Sequence, residues 1–238
     1  MTSLTLTLTG NTSTLTTYFH PEIELDGRFN YSCSLLDFFT YNSIPNIHEK
    51  NNKFYYSINT NNENEIVKYQ IISIPPGSYE LEEIGIFLKE KLAKQNLEFN
   101  LIINKNTFSC NIETAINIDF EQSDSVGKVL GFSKVLSGKT EYESDDVVNI
   151  QSINSIRIDC DLTTGSFHNG VRTHTIYEFS PNVKPGYKIN IQPKNLIYLP
   201  VVRRRINTVS ITVVDQNGKL VDFRGETITC RIHIKKDI

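Results

Sequence analysis

The stretch Ile228-Thr229-Cys230-Arg231-Ile232-His233-Ile234-Lys235 puts an apolar side chain at every second position and a polar one between. Successive side chains of an extended chain point to opposite faces, so this run has one dry face and one wet face. That is the pattern of an antiparallel strand buried on one side only. The same period recurs outward along the chain. Ile156, Ile158, Cys160 and Leu162 alternate with Ser155, Arg157, Asp159 and Asp161. Val209, Ile211 and Val213 form another such run, as do Tyr187, Ile189 and Ile191 against Lys188, Asn190 and Gln192. Leu4, Leu6 and Leu8 alternate with threonines. Leu97, Phe99, Leu101 and Ile103, then Phe108, Cys110 and Ile112, then Ile116, Ile118 and Phe120 continue the series. Further strands are expected near 31–40, 53–59, 65–74, 147–151 and 174–180.

Turn chemistry separates these runs. Asp215-Gln216-Asn217-Gly218 predicts a hairpin with glycine at the left-handed position, and Asn104-Lys105-Asn106 predicts another. Residues 59–65 read as a polar loop tip. About ten short strands with regular turns make a sandwich or barrel. The sequence has no continuous apolar strands between long helices, as a parallel sheet would require. One helix interrupts the strands at about 79–94, with Leu81, Ile84, Leu88 and Leu92 on one face. Glu80, Glu82 and Glu83 crowd its first turn and Lys89, Lys91 and Lys94 its last, which suits the helix dipole. Pro75-Pro76-Gly77 stops the preceding strand and leaves Ser78 to cap the helix. A single helical turn is expected at 124–130, capped by Asp124 and ended by Gly131. With no linker, repeat or shift in composition, the chain reads as one all-β sandwich domain over 1–238, its helices decorations between strands.

Bulk properties exclude several functions. A chain of 238 residues can bury one good-sized core. A net charge of -3, with both signs scattered, argues against a dedicated nucleic-acid binder. No apolar run is long enough to cross a bilayer, and Met-Thr-Ser-Leu-Thr-Leu lacks the basic start of a signal peptide, so a soluble product of the cytosol is expected. Cys33, Cys110, Cys160 and Cys230 are far apart, and the last three fall in phase with inward-looking apolar neighbours. They read as reduced, buried thiols.

Chemistry-bearing patterns fail one by one. Gly138-Lys139-Thr140 ends like a phosphate-binding loop, but the required earlier glycine is Ser133. His168 and His174 lie near Asp159, Cys160 and Asp161, yet alternation turns Asp159 and Cys160 to opposite faces, and no paired-histidine spacing occurs. No Gly-x-Ser-x-Gly elbow is present. No catalytic residue, metal site or cofactor is therefore expected. Arg203-Arg204-Arg205 is the one basic run; it reads either as a contact with nucleic acid or an acidic neighbour, or as a strand edge kept soluble by charge. Arg224-Gly225-Glu226 is one residue type away from an integrin-binding tripeptide, and no receptor role is inferred from it.

Several phrases, in this order, carry a resemblance. They are Leu36-Asp37-Phe38-Phe39-Thr40-Tyr41-Asn42-Ser43-Ile44-Pro45-Asn46-Ile47, Ile74-Pro75-Pro76-Gly77-Ser78-Tyr79-Glu80-Leu81 and Val129-Leu130-Gly131-Phe132. Then follow Cys160-Asp161-Leu162, Gly165-Ser166-Phe167-His168-Asn169-Gly170, Ile176-Tyr177-Glu178-Phe179-Ser180-Pro181, Val214-Asp215-Gln216-Asn217-Gly218 and Gly225-Glu226-Thr227-Ile228. Together they resemble the minor capsid, or penton, proteins of Polintons (Mavericks), the virus-like DNA transposons, and of related adenovirus-like elements. The resemblance runs from residue 18 to the C-terminus. It implies a single jelly roll, five copies of which close the vertex of an icosahedral shell. It also implies a double-jelly-roll major capsid protein as partner, packaged double-stranded DNA met only indirectly, and no membrane. The place of work would be the virion, after synthesis in the host cytoplasm, with the nucleus a candidate site of assembly.

Head-to-tail contacts generate such rings. The loop end 163–173, with His168 and Asn169, and the stretch 195–206, with Arg203, Arg204 and Arg205, are the candidate contact regions. Leu4, Leu6 and Leu8 mark residues 1–10 as a candidate arm that adds a strand to a neighbour, or pairs within its own sheet. A receptor- or glycan-binding sandwich is the alternative, weakened by the absence of Trp.

Overall fold

The computed structural model describes residues 2–58, 68–150 and 153–237; the expected loop tip at 59–65 and residue 151 lie outside them. The described residues form two compact units, one from Met1–Ile44 and Ile153–Ile238, the other from Pro45–Ser152. The first begins with β1 (Ser3–Gly10), β2 (Thr14–Glu24) and β3 (Tyr31–Tyr41). The second holds β4 (Lys53–Ser57), β5 (Gln70–Ser73), α1 (Leu81–Ala93), β6 (Phe99–Asn104), β7 (Ser109–Thr114), β8 (Asn117–Asp119), α2 (Gly127–Leu130), β9 (Val135–Leu136) and β10 (Glu141–Glu143). The first unit resumes with β11 (Ile156–Cys160), β12 (Ser166–His168), β13 (Val171–Thr173), β14 (Thr175–Phe179), β15 (Lys188–Ile191), β16 (Leu199–Pro200), β17 (Arg205–Asp215) and β18 (Ile228–Lys236).

In the first unit one sheet runs β1-β18-β3-β15, with β16 also on β3, and the other runs β14-β11-β17-β2. All these pairings are antiparallel. Taking the eight strands β1, β2, β3, β11, β14, β15, β17 and β18 in chain order, the first pairs with the last, the second with the seventh, the third with the sixth and the fourth with the fifth. A long antiparallel ribbon rolled up on itself gives this order, which is a jelly roll. The fold class expected from the sequence is the one observed. β18 is the stretch quoted first: Ile228, Cys230, Ile232 and Ile234 are fully buried, and Thr229, Arg231, His233 and Lys235 take the opposite face. Each aliphatic side chain so buried contributes about 1.5–3 kcal/mol of transfer free energy. From β3, Phe38 is sealed inside against Phe179 at 5.6 Å and Phe223 at 6.4 Å between ring centroids.

The second unit has its own core, with sheets β10-β7-β6 and β5-β4-β8-β9. Phe54 of β4 lies edge-on to Phe99 at 5.5 Å and to Phe120 at 6.0 Å, and Phe120 stacks on Phe132 at 5.2 Å. Ile84, Leu88 and Leu92 of α1 are fully buried in the same cluster. The helix read as a decoration is thus part of a second core. It starts at Leu81, and its cap is Glu80, not Ser78. Glu80 and Glu83 form a reciprocal capping box, in which the Glu80 backbone N–H donates to Glu83 Oε2 at 2.7 Å. α2 is also capped differently from expectation, because Asp124 accepts from the Tyr55 hydroxyl at 2.9 Å and Ser125 Oγ takes the Gly127 N–H. Its end is as read: Gly131 sits at φ +83°, where a side chain is strained. Residues 147–150 form no strand. Tyr187 is exposed, since it precedes β15 and misses the sheet.

Candidate assembly surfaces

A sandwich with two open sheets has four edge strands, and each offers unpaired backbone groups to other chains unless blunted. β2 is blunted. It carries Pro21, Glu22 and Glu24, and its register with β17 slips between Ile206 and Thr208, so residues 19–22 bulge out. β14 has only five residues, carries Glu178 and has a bulge opposite Ile158/Asp159. The β15 edge is broken into four residues of β15 and two of β16, with Pro193 between them and Pro200 in the latter. β1 differs from all three. Its eight residues carry no charge and no proline, and they pair with β18 in unbroken register from Ser3↔Lys235 to Gly10↔Ile228. Leu6 and Leu8 are buried in the core of their own sandwich, with Leu4 packed beside them. In the single chain the candidate arm is therefore a strand of its own sheet, and it leaves one long bare edge.

The arginine run does not act as a block. Arg203 pairs with Asp161 at 3.0 Å, Arg204 donates to the Phe29 carbonyl, and Arg205 lies 3.5 Å from Glu24 and 3.7 Å from Glu22. Each of the three neighbouring residues thus meets partners of its own, and all three remain exposed. Exposed pairs of this kind contribute under about 1 kcal/mol each.

His168 and Asn169 lie at the turn of the β12–β13 hairpin, where Asn169 at φ +49° and Gly170 at φ +80° give a mirror-image turn that suits strand twist. The exposed apolar side chains at this tip are Phe167 (64%) and Val171 (67%), which sequence reasoning passed over. Two apolar residues flanking an Asn-Gly turn were the available signal. Ile197 and Val202 add exposed apolar surface in the stretch 195–206.

On the outer face of the β1 sheet, Arg231 pairs with Asp37, whose carboxylate is 2% exposed and keeps Oδ1 without a partner. Tyr198 bonds His233 Nδ1 at 2.8 Å, and Lys235 Nζ lies 3.8 Å from its ring centroid. The loop 192–198 is thereby fastened across the sheet.

The polar groups tested for metal chemistry are each engaged elsewhere. Asp159 Oδ1 accepts from Thr175 Oγ1 at 2.7 Å, Asp161 Oδ1 accepts the Ser210 N–H at 2.9 Å, and His174 Nδ1–H donates to the Thr163 carbonyl at 2.5 Å. Among the described residues, no three His, Cys, Asp or Glu side chains come together as a metal ion needs. All four cysteines are free and buried. A hydrogen bond with Cys160, then burial, pushes the Cys33 thiol up, and burial pushes up Cys230. Thiols so placed are poor nucleophiles.

No protein-family model matches the chain, and no curated protein matches it. Among solved structures, the crystal structure of the mavirus penton protein is similar, with a TM-score of 0.54 and 13% sequence identity over 99% of this chain and 99% of that one. At that identity the likeness is one of fold, and it extends over both units described above.

Proposed function

We propose that the chain is a structural capsid protein of the penton type, five copies of which close the vertices of an icosahedral shell of a Polinton-like element. The observation that carries this reading is the end-to-end likeness to the mavirus penton protein, which spans 99% of both chains. A jelly roll with one bare edge suits the task. Rigid sheets supply shape, and β1 supplies unpaired backbone for a neighbour. The work is mechanical, with no catalysis. In a closed ring one flank of each subunit meets the opposite flank of the next. The β1 edge, the Phe167–Val171 tip and the 195–206 stretch with its arginines are the proposed contacts. A double-jelly-roll major capsid protein would surround the ring, with packaged DNA touched only indirectly. The site of action would be the virion.

Electron microscopy of the purified chain, alone and coexpressed with a double-jelly-roll capsid protein from the same element, tests this. Five-fold rings or vertex-capped particles are expected. A chain that stays monomeric in both settings sinks the proposal.

A further inference from the structure

The second unit carries a cleft of about 250 Å³, lined chiefly by His48, Lys50, Asn51, Ser123, Lys128 and Asn149. No carboxylate lines it, although the chain as a whole carries a net charge of -3. Two ammonium groups and an imidazole gathered in one concavity create a positive local field. Among the described residues, neither Lys50 nor Lys128 is held in an ion pair.

Both walls are held by the backbone. On one, Asn51 Oδ1 accepts the His48 N–H at 2.7 Å, and Asn51 Nδ2–H donates to the Asn46 carbonyl at 2.9 Å. His48 Nδ1 accepts the Lys50 N–H at 3.3 Å, so a neutral ring carries its hydrogen on Nε2 and can donate it. On the other wall, the Lys53 N–H donates to the Asp124 carbonyl at 3.0 Å and the Val126 N–H to the Lys53 carbonyl at 2.8 Å. Asp124, the acidic residue between Ser123 and Ser125, has its Oδ1 engaged by the Tyr55 hydroxyl. Loop backbones fixed this way need little reordering to present their side chains to a ligand.

We propose that this cleft binds a tetrahedral oxyanion, a sulfate or phosphate group that is free or carried by a small polar ligand. Lys50 and Lys128 supply charge, and His48 Nε2–H, Ser123 and Asn149 supply hydrogen bonds. The site lies wholly within the second unit and stands whether or not the chain is a penton.

Amide chemical shifts of the ¹⁵N-labelled full chain, titrated in turn with inorganic phosphate, a sulfated disaccharide and the same disaccharide desulfated, test it. Shifts at 46–51 and 122–129 are expected with either oxyanion and not with the desulfated sugar. A tighter response to the sulfated sugar would mark a carbohydrate-borne group, and an equal one a free ion. The double variant Lys50→Gln/Lys128→Gln should lose about tenfold in affinity, the scale of charge-assisted hydrogen bonds. Lys89→Gln/Lys139→Gln removes the same charge elsewhere on the unit and should lose little. All four lysines are exposed, so both variants should keep the native thermal midpoint. Equal losses in the two variants, shifts spread over the surface, or no shifts at these loops would overturn the proposal.

Discussion

The two units build their cores from opposite chain logic. In the jelly roll the partners are distant: β1 pairs with β18, β2 with β17 and β3 with β15. In the second unit most partners are neighbours, β4 with β5, β6 with β7 and β8 with β9, and α1 packs on β6, the next element. β4 with β8 and β7 with β10 are the longer pairings, all within the same contiguous stretch. Distant pairing must pay its loop-closure entropy before any contact is made, whereas local pairing forms early. The contiguous stretch from 45 to 152 can therefore fold as one segment. The sandwich has to bring together the two stretches that flank it in sequence. Two cooperative units with separate responses to damage are therefore expected.

The sharpest way to break that separation is to empty each core in turn. Phe54→Ala and Phe38→Ala each remove a ring that is 0% exposed, and each should cost about 3–5 kcal/mol. Native-state hydrogen exchange should quicken mainly within 45–152 for the first variant and mainly within 1–44 and 153–238 for the second. Uniform acceleration in either variant would mean that the units unfold as one. A smaller blow, confined to the second unit, is Gly131→Ala. A Cβ there would lie 2.2 Å from the Asp146 carbonyl oxygen, at φ +83°. That position also bonds the Asp146 N–H to the Gly131 carbonyl at 3.0 Å. A loss of about 2–4 kcal/mol by denaturant titration is expected.

Thiols report the two units separately. Cys110 belongs to the second core, and Cys33, Cys160 and Cys230 belong to the first. In rising denaturant the three sandwich thiols should be labelled in one phase and Cys110 in another. A single phase for all four would contradict the two-unit description. Burial pushes Cys110 up to about 11 from 9.0. Between these values the unfolded chain ionises its thiol while the fold holds the proton, so the second unit should lose stability as pH rises through that window, at most about 1.4 kcal/mol per pH unit.

Period-two alternation made most of the strands legible because one face of each is buried, as β18 and β1 show; β11 departs from it, since Arg157 on its expected wet face is buried. It says that a face is buried, but not in which core. Phe99 and Ile112 alternate just as Ile158 and Ile211 do, so the second core could not be separated from the first. The helix boundary moved because Glu80 and Glu83 cap each other, a reciprocal pairing that competes with the simpler serine rule. At the candidate surfaces, Arg203, Arg204 and Arg205 looked like one patch because adjacency was all that could be read. Their partners, Asp161, the Phe29 carbonyl and the β2 carboxylates, come from other parts of the roll. The cleft of His48, Lys50 and Lys128 was hidden for the same reason: the loops at 46–51 and 122–129 are far apart in sequence and are brought together by the backbone bonds of Lys53.

Arg231→Ala tests a contact specific to the jelly roll. It would leave the Asp37 carboxylate buried without its cation, the costly way to break such a pair. Because the arginine is half-exposed, water recovers part of the loss, and about 1–2 kcal/mol is expected in denaturant titration. An unchanged midpoint would mean that solvent already reaches Asp37.

The smallest effect on stability should be the largest on association. Thr5 and Thr7 face outward from β1, opposite His233 and Arg231. Replacing both with Glu puts carboxylates beside cross-strand bases, so the folded chain should change by no more than about 0.5 kcal/mol. The same charges line the one long edge of the jelly roll that lacks any, and like charges on an edge strand prevent edge-to-edge pairing. In the second unit β10 already has that protection, since Glu141 and Glu143 sit on a three-residue edge strand. Glu141→Lys/Glu143→Lys should therefore leave the oligomeric state unchanged, while Thr5→Glu/Thr7→Glu should shift it to monomer by mass photometry. If the two pairs act alike, the bare edge of β1 is not the contact, and the exposed tip at Phe167 and Val171 becomes the next surface to charge.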